Sequence, residues 1–264
     1  MHYQMWIWSK FENVIAHFLI AMMEELIILY YVLFYMFLLM YYHYNNIISY
    51  KEVAYMGKIK LLHGSDHIIE KPDLLLGKTN NDYGRGFYCT QELSMAMEWA
   101  CKKNSDGFVN KYVLEQDSLN ILNLLDGKYN ILHWMALLLK NRTFRLSNEI
   151  AIDACDYIIE NFSIDLKAYD VIIGYRADDS YFSFAESFVQ NGLPLRSLNE
   201  ALHLGRLGTQ TVLISEKSFR NLTFDGADFA DKTVYYPKFI ARDSNVRETY
   251  RREIRNRHSY KNDI

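Results

Sequence analysis

The residues of this chain best suited to chemistry lie between Lys58 and Thr90, where KIKLLHGS is followed, after a polar loop of about sixteen residues, by NNDYGRGFYCT. The first run reads as a short apolar strand ending on His63, Gly64 and Ser65, and the second as a glycine-bracketed strand ending on Tyr88. Facing one another, they set an imidazole, a bare backbone and an aromatic ring around one space. Such a set can cradle a flat, polar ring with a ribose attached. Gly84 and Gly86 let the backbone come close to such a ring.

The pair HGS and YGRGFYCT resembles the first two motifs of the ADP-ribosyltransferase fold, in its poly-ADP-ribose-polymerase-like His-Tyr-Glu/Gln branch. More narrowly, LLHGSDHIIEKPDLLLGKTNNDYGRGFYCTQELSMAMEWA resembles DUF3990, an uncharacterised bacterial family of that fold, from about Met56 to about Phe224. The resemblance implies NAD as co-substrate and a cleft that holds it. It gives His63 a hydrogen bond to the nicotinamide ribose or its neighbour, Gly64 backbone contacts to the carboxamide, and Ser65 a hydroxyl contact. Tyr88 would stack on the nicotinamide while the glycosidic bond lengthens, Gly86 would admit the ligand, and Arg85 would meet the pyrophosphate. Plainer readings stand beside these: a strand-end histidine closing a turn, a core tyrosine in a glycine-rich hairpin, a solvated arginine.

The third motif departs from the family pattern. In GTQTVLIS, Gln210 takes the place where transferases of this fold often carry glutamate. An amide keeps a hydrogen bond to a ribose hydroxyl but loses the full charge that would stabilise a cationic transition state. The resemblance therefore implies mono-ADP-ribosylation, of bacterial toxin or effector type, over polymer synthesis. YRADDSYFSFAESF offers Asp178, Asp179, Tyr181 and Glu186 to make up for the missing carboxylate, Asp179 first among them, although acids before a helix also serve as caps.

The elements that must position these residues are legible from periodicity. Strands are expected at residues 58–62, 86–89, 108–115, 169–175 and 209–215, and helices from Thr90 as N-cap through Lys102, then at 129–140, 148–161 and 179–190. Ser197 and Glu200 match a capping box, with Gly205 and Gly208 as breaks before the late strand. This is an α+β pattern. The resemblance makes it a split β-sheet core with flanking helices and a helical insertion, two small, mostly antiparallel sheets bounding the cleft.

At 264 residues and 50% hydrophobic the chain holds a sizeable core, and with 3 prolines and 12 glycines it shows no linker. Cys89, Cys101 and Cys155 form neither a CxxC pair nor a zinc pattern with His67, His133 or His203, so a reducing compartment suits them and no metal is expected. The net charge of -3 is too small to imply a polyanionic partner for the whole chain.

Residues 1–55 read as an N-terminal hydrophobic segment. Leu26 to Tyr42 is uncharged and reaches about 25 Å as a helix, the short edge of a membrane span. Tyr41, Tyr42 and Tyr44 suit an interfacial belt, and Lys51, Lys58 and Lys60 put the following domain in the cytoplasm. A helix packed on the domain, or upstream sequence preceding a true start at Met56, remain open beside the anchor. Residues 56–240 read as the catalytic-size domain and 241–264 as a basic tail, in which the stretch RDSNVRETYRREIRNRH carries six arginines against three acids and suits an ion-paired helix or nucleic-acid phosphates. Two functions outside catalysis also stay open: a non-catalytic NAD or ADP-ribose binding module, and a membrane-anchored interaction protein. The acceptor, a protein side chain, a nucleic acid or a small molecule, and an antitoxin partner are left unspecified by the residues.

Overall fold

The chain divides after Met56, and the computed structural model describes residues 33–36, 57–177, 179–203 and 209–259. The expected anchor at residues 26–42 lies outside the described residues except for 33–36, an exposed helical turn. Among the described residues no helix is long and apolar enough to cross a membrane.

From Gly57 onward the chain is a mixed α+β structure with two sheets. Its strands are β1 (Lys58–Ser65), β2 (Phe87–Cys89), β3 (Gly107–Glu115), β4 (Ile121–Asn123), β5 (Val171–Tyr175), β6 (Thr209–Leu213) and β7 (Leu222–Ala230). One sheet has the order β1-β3-β7 and is antiparallel throughout; the other has the order β2-β6-β5-β4, with only β4 and β5 parallel. The two meet where Leu62 and Thr90 exchange backbone hydrogen bonds of 2.8 and 2.9 Å. Because β1 and β2 share this bridge, the two chemistry-bearing motifs are adjacent in space.

The helices are α1 (Leu93–Ala100), α2 (Ile131–Asn141), α3 (Glu149–Phe162), α4 (Asp179–Val189), α5 (Leu195–His203), α6 (Glu216–Arg220) and α7 (Lys232–Ser259). Helix α2 starts where the Asn130 side chain accepts from the Leu132 N–H and His133 reaches back, a reciprocal cap. Helix α3 starts at Asn148, whose side chain accepts from the Ala151 N–H at 2.8 Å. This helical pair lies between β4 and β5 in chain order and buries Trp134, Met135, Leu138 and Ile158 against Ile172 and Val212 of the four-stranded sheet. A second cluster, Leu61, Phe87, Tyr112, Leu114 and Leu213, joins the two sheets.

Several expectations are corrected. Thr90 does not cap α1: its backbone is committed to Leu62, so it stays extended and the helix begins at Leu93. Ser197 and Glu200 do not form a capping box, because the carbonyl of Pro194 already accepts the Leu198 N–H at 3.0 Å and Ser197 lies inside the first turn. The boundary at residue 240 falls within α7, whose Val246 is buried and whose Arg242 bonds Glu98 of α1 at 2.7 Å. That stretch is packed helix, at least as far as Val246, and not a separate tail. Gly205 and Gly208 lie outside the described residues.

Candidate functional site

A cleft of about 590 Å³ opens where β1, β2 and the start of β6 converge, and His63, Gly64, Gly86, Tyr88 and Gln210 all line it. The strand register explains the convergence. Tyr88 pairs with Val212, and Gln210 lies two residues away on the same face of β6. His63 reaches them from the other sheet through the bridge at Leu62.

His63 is held on two sides. Its ring stacks on Phe87 with centroids 4.4 Å apart, and its Nδ1 lies 2.7 Å from the Tyr88 carbonyl. A carbonyl only accepts, so Nδ1 carries the proton and Nε2 is left as the acceptor in the neutral ring. Burial pushes the imidazole below its usual range, against the opposing pull of the Tyr88 carbonyl. The group is therefore a neutral acceptor at ordinary pH, suited to a sugar hydroxyl.

Tyr88 is fixed by its own hairpin. Its hydroxyl donates to the Gly84 carbonyl at 2.7 Å and accepts the Tyr83 N–H at 3.0 Å, while burial raises its pKa far above the ordinary phenol value. Gly84 has φ +78, a conformation that suits glycine, and this turn brings its carbonyl back to the Tyr88 hydroxyl. The ring is thus a rigid, neutral wall and not a proton donor to the cleft.

Gln210, only 3% exposed, donates its amide to Asp82 Oδ2 at 3.2 Å and to the Tyr175 carbonyl at 3.0 Å. Asp82 is a carboxylate of the site that motif reasoning passed over. It also accepts from Arg142 Nη1 at 2.9 Å and from the Ala177 N–H at 2.9 Å. The signal was present two residues before Gly84 in NNDYGRGFY, yet an aspartate before a glycine turn reads first as turn chemistry. Arg176, buried and lying with its guanidinium 3.9 Å from the centre of the Trp99 ring, is the second missed feature; both line the cleft. Asn110 is the third. Buried in β3, it donates to Ser65 Oγ at 2.9 Å and accepts the Ile69 N–H at 2.7 Å, which sets the loop that walls the cleft after β1.

The other predicted residues are placed differently. Ser65 is tied to Asn110 and the His67 carbonyl and does not line the cleft. Arg85 is exposed and does not line the cleft, so its expected pyrophosphate contact has no support in the geometry. Gly64 lines the cleft, but its close packing has another cause: a Cβ there would lie 2.2 Å from the Ala96 carbonyl of α1. Of the acids considered near α4, Asp178 and the Asp179 side chain lie outside the described residues, and Glu186 accepts the Arg145 N–H at 3.2 Å, away from the cleft. Tyr181 is core. The three cysteines are buried free thiols, and among the described residues no cluster of three metal-ligating side chains occurs.

The family model for a protein of unknown function, DUF3990, matches residues 59–224. The chain belongs to the DUF3990 family. The matched span runs from β1 into β7 and so contains every cleft-lining residue of both motifs and of β6. No curated protein and no solved structure matches the chain.

Proposed function

We propose that this DUF3990 protein is an NAD-dependent mono-ADP-ribosyltransferase built on the ADP-ribosyltransferase fold. The observation that carries the reading is the convergence of His63, Tyr88 and Gln210, from three separate segments, on one cleft of about 590 Å³, within the range of small-molecule and cofactor sites. The charge of the lining supports it. Lys71, Lys78, Arg142 and Arg176 stand against Asp73 and Asp82, a balance that favours an anionic ligand such as a dinucleotide diphosphate.

In this reading Tyr88 packs against the nicotinamide, Nε2 of His63 accepts from a ribose hydroxyl, and Gln210 accepts from another on the same sugar. The bond between the nicotinamide nitrogen and the anomeric carbon breaks with its electron pair going to nicotinamide. The acceptor's nucleophilic atom forms the new bond to that carbon and gives up its proton to solvent. Fixing the ribose on one side and the ring on the other supplies positioning, which contributes most of the acceleration when a neutral residue stands where others carry a glutamate.

A second reading, a binding module for NAD or ADP-ribose without turnover, is favoured by one observation. The carboxylate nearest Gln210 is already engaged by Arg142, Ala177 and Gln210 itself. The test is to incubate the full-length chain with NAD labelled in its adenylate half and with cell lysate, following nicotinamide release and label transfer. The expected result is transfer that falls about 100-fold in His63→Ala. Binding of NAD without nicotinamide release assigns the binding module instead, and unimpaired transfer by His63→Ala removes the site assignment.

A further inference from the structure

We infer that Asp82 is the positioning residue for Gln210, orienting its amide so that the oxygen, and not the nitrogen, is offered to a sugar hydroxyl in the cleft. The inference rests on the transferase reading above for the identity of the ligand, and on geometry alone for the orientation. An amide side chain presents a donor and an acceptor end that exchange by a flip, and only its neighbours decide which faces where. Here Asp82 Oδ2 at 3.2 Å and the Tyr175 carbonyl at 3.0 Å are pure acceptors, and the third neighbour, the Tyr83 hydroxyl, already donates its proton to the Tyr175 carbonyl at 2.7 Å. The nitrogen must face them.

The Tyr175 carbonyl is an insufficient anchor by itself. It also receives the Tyr83 hydroxyl at 2.7 Å and the Trp134 indole N–H at 3.3 Å, so its lone pairs are already contested. Asp82 supplies the decisive charge-assisted bond, and it is itself immobilised: Arg142 at the end of α2 holds Oδ1, and the Ala177 N–H just after β5 holds Oδ2. Three elements of the fold thereby fix one side-chain amide.

Oε1 of Gln210 accepts from none of the described residues, although Gln210 is nearly buried and lines the cleft. An amide oxygen so placed, without a protein donor, calls for a donor from solvent or ligand. A ribose hydroxyl is such a donor. The pair therefore divides between two residues what a single glutamate does elsewhere: Gln210 provides the acceptor atom, and Asp82 provides the negative charge one bond behind it.

The test is a double-mutant cycle on the full-length chain, with Asp82→Asn, Gln210→Ala and both together. Nicotinamide release, NAD affinity by calorimetry and the melting temperature are measured for each. Asp82→Asn must turn a donor toward either Arg142 or the pair formed by Gln210 and Ala177, so kcat is expected to fall about 10- to 100-fold while KM moves far less. In the Gln210→Ala background the same change should cost almost nothing further, because the group it orients is gone. A merely structural Asp82 would give additive losses that track the melting temperature, and that outcome overturns the proposal.

A second measurement does not depend on turnover. Proton exchange of the Gln210 side-chain NH2 group, assigned by its absence in Gln210→Ala, should be protected in the parent chain and rise at least tenfold in Asp82→Asn. If the parent chain leaves NAD intact, the transferase reading fails and this exchange measurement alone decides the orientation. If the exchange is unchanged by Asp82→Asn, the orientation proposal fails whatever NAD does.

Discussion

Gln210→Glu is the most informative single substitution, because it puts a carboxylate in a place where the structure has already put another. The new Glu oxygen would replace an Nε2 that sits 3.2 Å from Asp82 Oδ2. Two unit charges at that separation repel by about 5 kcal/mol at an effective dielectric of about 20. Arg142, 2.9 Å from Asp82 Oδ1, offsets part of it, and halving the repulsion leaves about 2.7 kcal/mol. The two carboxylates would then favour sharing one proton, which raises the apparent pKa of the pair above that of an unfolded glutamate.

The sign follows from linkage. Between the unfolded and the folded pKa the folded variant binds more protons than the unfolded chain, so its stability falls as pH rises through the folded pKa and is retained below the unfolded one. The loss by pH 8 is about 2.7 kcal/mol relative to pH 4, or about 5 to 10 °C in melting temperature for a unit the size of Gly57–Ile264. Calorimetric scans of parent and variant from pH 4.5 to 8.5 measure the difference directly. Parallel curves across that range would refute the placement of Asp82 against residue 210, and with it the division of labour between the two.

Gly64→Ala should destabilise the chain by about 1 to 3 kcal/mol in urea titrations, since its Cβ would meet the Ala96 carbonyl at 2.2 Å and α1 cannot yield without opening the sheet behind it; a loss under about 0.5 kcal/mol would mean that α1 does not seat on β1 as described. His63 has its pKa lowered by burial from 6.5, so the unfolded chain takes up the proton first and the contribution of this residue to stability is present above pH 6.5 and lost as pH falls below it. The melting-temperature gap between parent and His63→Gln should accordingly narrow on acidification from pH 7.5 to 5. A gap independent of pH would show that the imidazole is not held neutral.

What the sequence made legible was local. The strands and helices with strong periodicity lie close to where the residues predict them, α2 and α3 most clearly, at Ile131–Asn141 and Glu149–Phe162 against the expected 129–140 and 148–161. Strands β4 and β7 were missed for opposite reasons. Ile121–Asn123 is too short to show a period, and Leu222–Ala230 has Gly226 at φ +103 and aspartates at Asp225 and Asp228 that argue against a strand; antiparallel pairing with β3 overrides them, with Lys111 meeting Asp228 at 2.7 Å. The expected helix start at Thr90 failed because a long-range bridge to Leu62 outweighed a local capping preference.

The site was legible where one residue type sufficed and opaque where a partner was needed. His63 and Tyr88 announce themselves through glycine neighbours, and each is found in the cleft. Asp82 does not, because its role depends on Arg142, Ala177 and Gln210, which lie 60, 95 and 128 positions away. That separation also changes the meaning of Gln210. Read alone, it is a glutamate lost; read beside Asp82, a glutamate at 210 would leave two carboxylates competing for one cation and one proton, whereas an amide satisfies Asp82 and still turns an acceptor outward. The carboxylate that position 210 engages thus stands on the turn before β2 and not in β6.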